Sequence, residues 1–290
     1  MTDIELKNVS YVYSAETPFE KSALNNINLK IDGGIITGLM GHTGSGKSTL
    51  VQLLNGLLKP ATGQIFVGGV DIWAQPKKIR DIRFKVGLVF QYPEYQLFEE
   101  TVYKDIAFGP INMELDETEI DKRVRAAALF THIDESLFNK SPFELSGGQR
   151  RRVAIAGVMA MEPEVLILDE PAAGLDPMGR EEILGGVWSY QRSRKGTVII
   201  VSHSMEDMAR YSDKIIVMNK SEIMMHGTCH EIFKRTDELI SVGLDIPQIT
   251  QLMLEIKSRG ADIRTDIFTV EAAKDEILSK IRTNGSGSNC

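Results

Sequence analysis

Ile35-Ile36-Thr37-Gly38-Leu39-Met40-Gly41-His42-Thr43-Gly44-Ser45-Gly46-Lys47-Ser48-Thr49 is the stretch that decides the fold. Ile35 to Met40 has the pattern of a buried strand, and Thr49 to Leu58 has that of a helix. Between them, the spacing from Gly41 to Gly46-Lys47-Ser48 is that of a phosphate-binding loop. Glycines let the backbone wrap, so that successive N–H groups from Gly41 through His42, Thr43, Gly44, Ser45 and Gly46 face an anion at the helix N-terminus. Lys47 then neutralises β- and γ-phosphate charge, Ser48 offers a hydroxyl to Mg²⁺, and Thr49 offers one to a phosphate oxygen. Strand, glycine loop and helix in that order predict an α/β fold built on a P-loop NTPase (RecA-like) core.

A second signal narrows the chemistry. Val165-Leu166-Ile167-Leu168-Asp169-Glu170 places two carboxylates at the end of a buried apolar strand, where charge needs a reason. Asp169 suits a Mg²⁺ ligand, and Glu170 suits a general base for the attacking water. With a phosphate loop upstream, this pair predicts nucleotide hydrolysis rather than binding alone.

Composition excludes several alternatives. At 290 residues, with 42% hydrophobic and 25% charged residues, the chain has the makeup of a globular protein. A formal net charge of −7 argues against a nucleic-acid surface. Cys229 and Cys290 have no metal-ligand spacing, which fits a reducing compartment. No secretory leader is evident, and no run approaches the roughly 18 apolar residues of a membrane span. Any transport role therefore requires a partner that spans the membrane.

Along the chain, Ile4 to Tyr13 and Leu24 to Ile31 alternate as antiparallel strands, forming a β subdomain. Residues from about 93 to 160, including Glu117 to Phe130 and Gln149 to Met161, form an inserted helical subdomain. Thr197 to Val201, Lys214 to Met218 and Ile223 to Met225 are further strands. A nucleotide-binding domain over 1–225 is followed by a small helical C-terminal extension over 226–290. Its last residues, Gly285 to Ser288, form a frayed tail.

Leu145-Ser146-Gly147-Gly148-Gln149 selects among nucleotide hydrolases. The chain resembles the ATP-binding subunits of ABC transporters, whose signature is this pentapeptide. The resemblance implies ATP and Mg²⁺ as ligands and a head-to-tail pair of ATPase subunits. In such a pair Ser146, Gly147, Gly148 and Gln149 of each subunit close over the P-loop of the other. Ser146 as a plain helix cap is compatible with that reading. By the same resemblance Gln91 touches Mg²⁺ or the lytic water, His203 contacts the γ-phosphate, Asp176 crosses the dimer interface, and Tyr13 stacks on adenine.

A finer resemblance, to energy-coupling factor transporter ATPases of the cobalt type, is carried by Phe90-Gln91-Tyr92-Pro93-Glu94-Tyr95-Gln96-Leu97-Phe98-Glu99-Glu100 and by Asp105 to Pro110. The Ser14 to Glu20 stretch resembles the second of the two ATPase paralogues. Gly243-Leu244-Asp245-Ile246-Pro247 resembles the family's C-terminal extension, which contributes to pairing; a stabilising appendage is the alternative. The resemblance implies a peripheral subunit on the cytoplasmic face, energising an importer of vitamins or transition-metal ions. Its partners are a second ATPase, a transmembrane coupling protein docked on Glu94, Glu99, Glu100, Leu97 and Phe98, and a membrane substrate-binding subunit. A conventional ABC importer or exporter ATPase, or a soluble ABC protein acting on nucleic acid, are the other readings.

Overall fold

The computed structural model describes residues 1–285. Ten strands alternate with eleven helices. The strands are β1 (Ile4–Tyr13), β2 (Lys21–Ile31), β3 (Ile36–Gly41), β4 (Thr62–Val67), β5 (Val70–Asp71), β6 (Val86–Val89), β7 (Val165–Asp169), β8 (Thr197–Val201), β9 (Lys214–Asn219) and β10 (Glu222–Thr228). The helices are α1 (Lys47–Leu54), α2 (Ile79–Lys85), α3 (Val102–Asn112), α4 (Glu117–Phe130), α5 (Gly147–Met159), α6 (Pro177–Arg194), α7 (Met205–Tyr211), α8 (Cys229–Phe233), α9 (Thr236–Ser241), α10 (Gln248–Ser258) and α11 (Val270–Gly285). One sheet, in the order β2-β1-β4-β5, is antiparallel. The other runs β10-β9-β3-β8-β7-β6, parallel except for β10 at its edge.

The central strands carry uninterrupted apolar runs because both faces are covered. Every residue of β3, β6, β7 and β8 is buried. Alternate residues face opposite cores, as the two-residue period requires. Val165 and Ile167 of β7 pack with α1 and the antiparallel sheet, whereas Leu166 and Leu168 pack with the helical layer of α3, α4 and α5. Because these strands are parallel, β3, β6, β7 and β8 all end on one edge. The register sets Asp169 beside Val201 and Leu39 beside Val201. Loops following the four strands therefore converge outside their carboxyl ends.

The helix after the glycine loop is shorter than its sequence pattern implies. It ends at Leu54, because Asn55 caps it and Gly56 turns left-handed at φ 71°. The stretch beyond residue 226 divides by packing. Leu239, Leu244 and Ile246 join the main core, whereas Met253, Ile263, Ile267 and Ala273 form a small cluster of their own. The expected frayed tail lies, past Gly285, outside the described residues.

The helical layer is fastened by one buried cation. Arg151 on α5, 3% exposed, forks onto both oxygens of Glu94 at 3.0 Å and donates to the Ala173 carbonyl. Glu94 is thus withdrawn from the docking surface on which the sequence placed it. Truncating one partner strands the other in a dry site. Glu94→Ala is expected to lower unfolding free energy by about 3 kcal/mol, and a further Arg151→Met to restore part of it, as read from urea melts.

Candidate functional site

A cleft of about 270 Å³ opens where the four strand ends converge. It is lined by Lys47, Ser48, Asp169, Glu170, Gln91 and His203, with Tyr13 and Thr49 toward the antiparallel sheet and Thr43, Gly44 and Gly46 as its floor. Four strand ends supply most of these side chains: Lys47 and Ser48 follow β3, Gln91 follows β6, Asp169 and Glu170 stand at the end of β7 and His203 follows β8, while Tyr13 ends β1.

The glycine loop has little choice of residue. Gly41 and Gly46 adopt φ 148° and 107°, and a β-carbon on either would meet a main-chain oxygen, of Met218 at 2.4 Å or Ala23 at 2.6 Å. Gly46 precedes α1 without a side-chain cap, leaving the first N–H groups of that helix to an incoming anion. Lys47 is buried, and its Nζ donates to the carbonyls of Gly41 at 2.5 Å and His42 at 2.9 Å. Burial lowers its pKa, while the Glu170 and Asp169 carboxylates pull the other way. Ser48 Oγ donates to Asp169 Oδ2 at 3.2 Å. A hydroxyl and a carboxylate so close, with the Gln91 amide at the rim, form the all-oxygen partial shell that suits a small hard cation completed by phosphate and water.

Glu170 is held in a strained and desolvated state. Its φ is 51°, uncommon for a residue with a β-carbon, and its N–H donates to Val201 O at 3.0 Å. Buried Oε1 has no aligned hydrogen-bond donor, although His203 Nε2 stands 3.4 Å away. Burial first, and the neighbouring Asp169 second, push the Glu170 carboxyl up to about 7. Burial also raises Asp169, against the Ser48 hydrogen bond and Lys47 charge, and lowers His203, helped by Lys47.

Other expected residues stand apart from this cleft. Ser146 caps α5 in a reciprocal box with Gln149, at 2.9 and 3.3 Å, and Ser146 and Gly147 are exposed. Gly148 packs near Leu175. Asp176 caps α6, accepting from Gly179 N at 2.7 Å. His42 turns its ring away from the cleft, and Ser45 packs beneath it under Gly41. Lys21 and Ala23 of β2 line the cleft unforeseen. Pairing of Lys21 with Tyr13 puts it there, a cross-strand register that no motif encodes.

The ABC transporter family model matches residues 24–173. Over 276 residues the chain is 56% identical to the energy-coupling factor transporter ATP-binding protein EcfA2 of Clostridium acetobutylicum, covering 95% of this chain and 96% of that one. The EcfA2 protein of Clostridium tetani is 54% identical, covering 99% of both. The chain belongs to the ATP-binding proteins of energy-coupling factor transporters. Among solved structures, cbiO1 of Clostridium perfringens, described as part of the ABC transporter complex cbiONQ, superposes with a TM-score of 0.74 at 42% identity, covering 87% of this chain and 98% of that one. The dimeric ATP-binding cassette MJ0796, solved with ADP and Pi, gives 0.70 at 29%, covering 78% and 98%. As a member of this family the chain has the P-loop NTPase fold, binds and hydrolyses ATP, and energises an energy-coupling factor transporter.

The elevated Glu170 pKa has a consequence for stability in the metal-free, nucleotide-free protein. Between the ordinary carboxylate range and about 7 the native state binds a proton that the unfolded chain has lost, so stability falls as pH rises through that window. Glu170→Gln removes the penalty. Its melting temperature in EDTA is expected to match wild type near pH 4.5 and to exceed it at pH 8, by on the order of 1 to 3 kcal/mol of stability.

Proposed function

We propose that two such ATPase subunits, this chain with a paralogue or a second copy, bind two MgATP at a shared interface and close on them. The reading is carried by one observation: Lys47, Ser48, Asp169, Glu170, Gln91 and His203 line a single cleft while Ser146 to Gln149 and Asp176 do not. A complete site then takes its serine-glycine edge from the neighbour, where the exposed N-terminus of α5 meets the γ-phosphate. Lys47 neutralises β/γ charge, and the backbone of residues 41–46 cradles the phosphates. Ser48, Asp169 and Gln91 hold Mg²⁺, which when bound screens the β- and γ-oxygens. Tyr13, whose OH lies 3.2 Å from Thr49 Oγ1, stacks on adenine, a contact worth about 1 kcal/mol.

Glu170 orients the attacking water and accepts its proton. Desolvation makes it a better base than an exposed carboxylate, and the Lys47 charge favours its ionised form. His203, whose Nε2 lies 3.4 Å from Glu170 Oε1, contacts the γ-phosphate. ATP binding stabilises the closed pair and hydrolysis removes that bias.

The second proposed surface is a groove of about 650 Å³ between α2, α3 and α5, lined by Phe84, Leu97, Phe98, Phe108 and Val153. Phe98 and Phe108 meet edge to face at 4.9 Å, and both are exposed. Asp105 accepts from the N–H groups of Phe98 and Glu99, fixing that wall, and burial raises its pKa. We assign this groove to an amphipathic helix of the transmembrane coupling protein, at the cytoplasmic face of the membrane. Glu99 remains as an acidic contact, Glu100 is paired with Lys104 at 2.7 Å, and Glu94 is consumed by Arg151. Among the described residues no helix is long and apolar enough to cross a membrane. The substrate-binding membrane subunit joins through that coupling protein.

Glu170→Gln is expected to bind ATP, lose about 100-fold or more of its turnover and accumulate as closed pairs in gel filtration; unchanged turnover removes the base. Replacing Phe98 and Phe108 together by Asp should abolish co-purification with the membrane subunits and leave ATP affinity within about twofold. Intact assembly would move the docking site elsewhere.

A further inference from the structure

The phosphate loop and the C-terminal extension meet at one side chain. His42 Nε2 is hydrogen-bonded to the main-chain carbonyl of Val242. Its ring also lies against Gly243, where an added β-carbon would stand 3.1 Å from both Cε1 and Nε2. Gly243 has φ 67°, a left-handed backbone that strains an ordinary residue, and a side chain there would press on the His42 ring. On its other side His42 touches the chemistry: its carbonyl accepts from Lys47 Nζ at 2.9 Å.

Val242 and Gly243 are not a loose loop. They close α9 through Gly243 N to Ile240 O at 2.8 Å and Leu244 N to Leu239 O at 2.9 Å. Leu239, Leu244 and Ile246 on either side are buried in the main core. Farther along, Gln248 N donates to Glu206 Oε1 at 3.2 Å, on the helix that follows His203. The segment from 239 to 248 is thereby braced between the loop after β3 and the helix after β8.

We propose that His42 is a positioning residue through which the C-terminal extension fixes the peptide that holds Lys47, and so sets this chain's own affinity for ATP. The side chain lies outside the cleft that Thr43 and Gly44 line, so it acts through its backbone. With the ring tethered to Val242, the 42 carbonyl points at Nζ before nucleotide arrives. An untethered loop must be ordered on binding, which raises the dissociation constant while leaving Glu170 and Asp169 in place. The extension thus acts within its own chain, apart from any part in pairing. The inference rests on the assignment of Lys47 to the phosphates.

The test is MgATP binding by calorimetry and steady-state hydrolysis on the full-length chain, with melting temperatures alongside. His42→Ala is expected to raise Kd and KM about fivefold with kcat falling less than twofold, and His42→Gln, which keeps an N–H in reach of the carbonyl, to recover most of the loss. Gly243→Ala should raise Kd similarly and lower the melting temperature. In a His42→Ala background Gly243→Ala should still lower the melting temperature but leave Kd where it was. Independent, multiplying effects on Kd would overturn the proposal, as would an unchanged Kd for His42→Ala when Lys47→Ala abolishes binding. Wild-type affinity in Lys47→Ala would overturn the phosphate assignment beneath it.

Discussion

Burying an ammonium group costs several kcal/mol unless its protons find acceptors and its charge finds an opposite, and Lys47 is placed so that both are supplied only in part. Two loop carbonyls satisfy part of its hydrogen-bonding capacity, and the Asp169–Glu170 pair opposes its charge without touching it. The rest of the site follows from that partial compensation. In the proposed function a polyphosphate would complete the lysine's shell, so binding energy would become available where charge is buried. Burial also raises Glu170, so two adjacent carboxylates are costly there and a divalent cation beside them would be favoured.

Geometry enforces this through the parallel sheet. Four strands that must end on one edge deliver four loops to one crevice, and no loop needs to be long to reach it. Arg151 extends the logic to the helical layer. By binding Glu94 after β6 and the Ala173 carbonyl after β7, it links α5 to the two segments that follow those strands. Arg180 makes a similar tie, gripping both oxygens of Asp207 between 2.7 and 3.0 Å and so joining the helix capped by Asp176 to the one after His203.

Much of this was legible in the residues. Glycine spacing, the buried-strand runs and the carboxylates at a strand end report local requirements of backbone and charge, and these place Lys47, Ser48, Asp169 and Glu170 together. What escaped was non-local. The strand Thr62–Val67 and the long helix Pro177–Arg194 carry no clear period; the helix holds Gly186, because a β-carbon there would stand 2.0 Å from the Phe130 carbonyl oxygen of α4. Close approach between helices dictates Gly186, and only the assembled fold shows it, whereas a β-carbon on Gly185 would meet nothing. Glu94 taught the same lesson with charge. An acidic residue in a mostly polar segment looks solvent-facing until the arginine that buries it, 57 residues on, is in place.

The turn between β9 and β10 joins the two sheets at a telling spot. Lys220 and Ser221 both adopt positive φ, and Ser221 N donates to Ser45 O in the phosphate loop at 3.2 Å while Ser221 O accepts from Asn25 N of β2 at 2.9 Å. The antiparallel sheet and the phosphate loop are therefore riveted into one block, over a hydrophobic core that they share with one face of the parallel sheet. A nucleotide held as proposed, between Tyr13 and Lys47, would therefore rest on a single rigid unit.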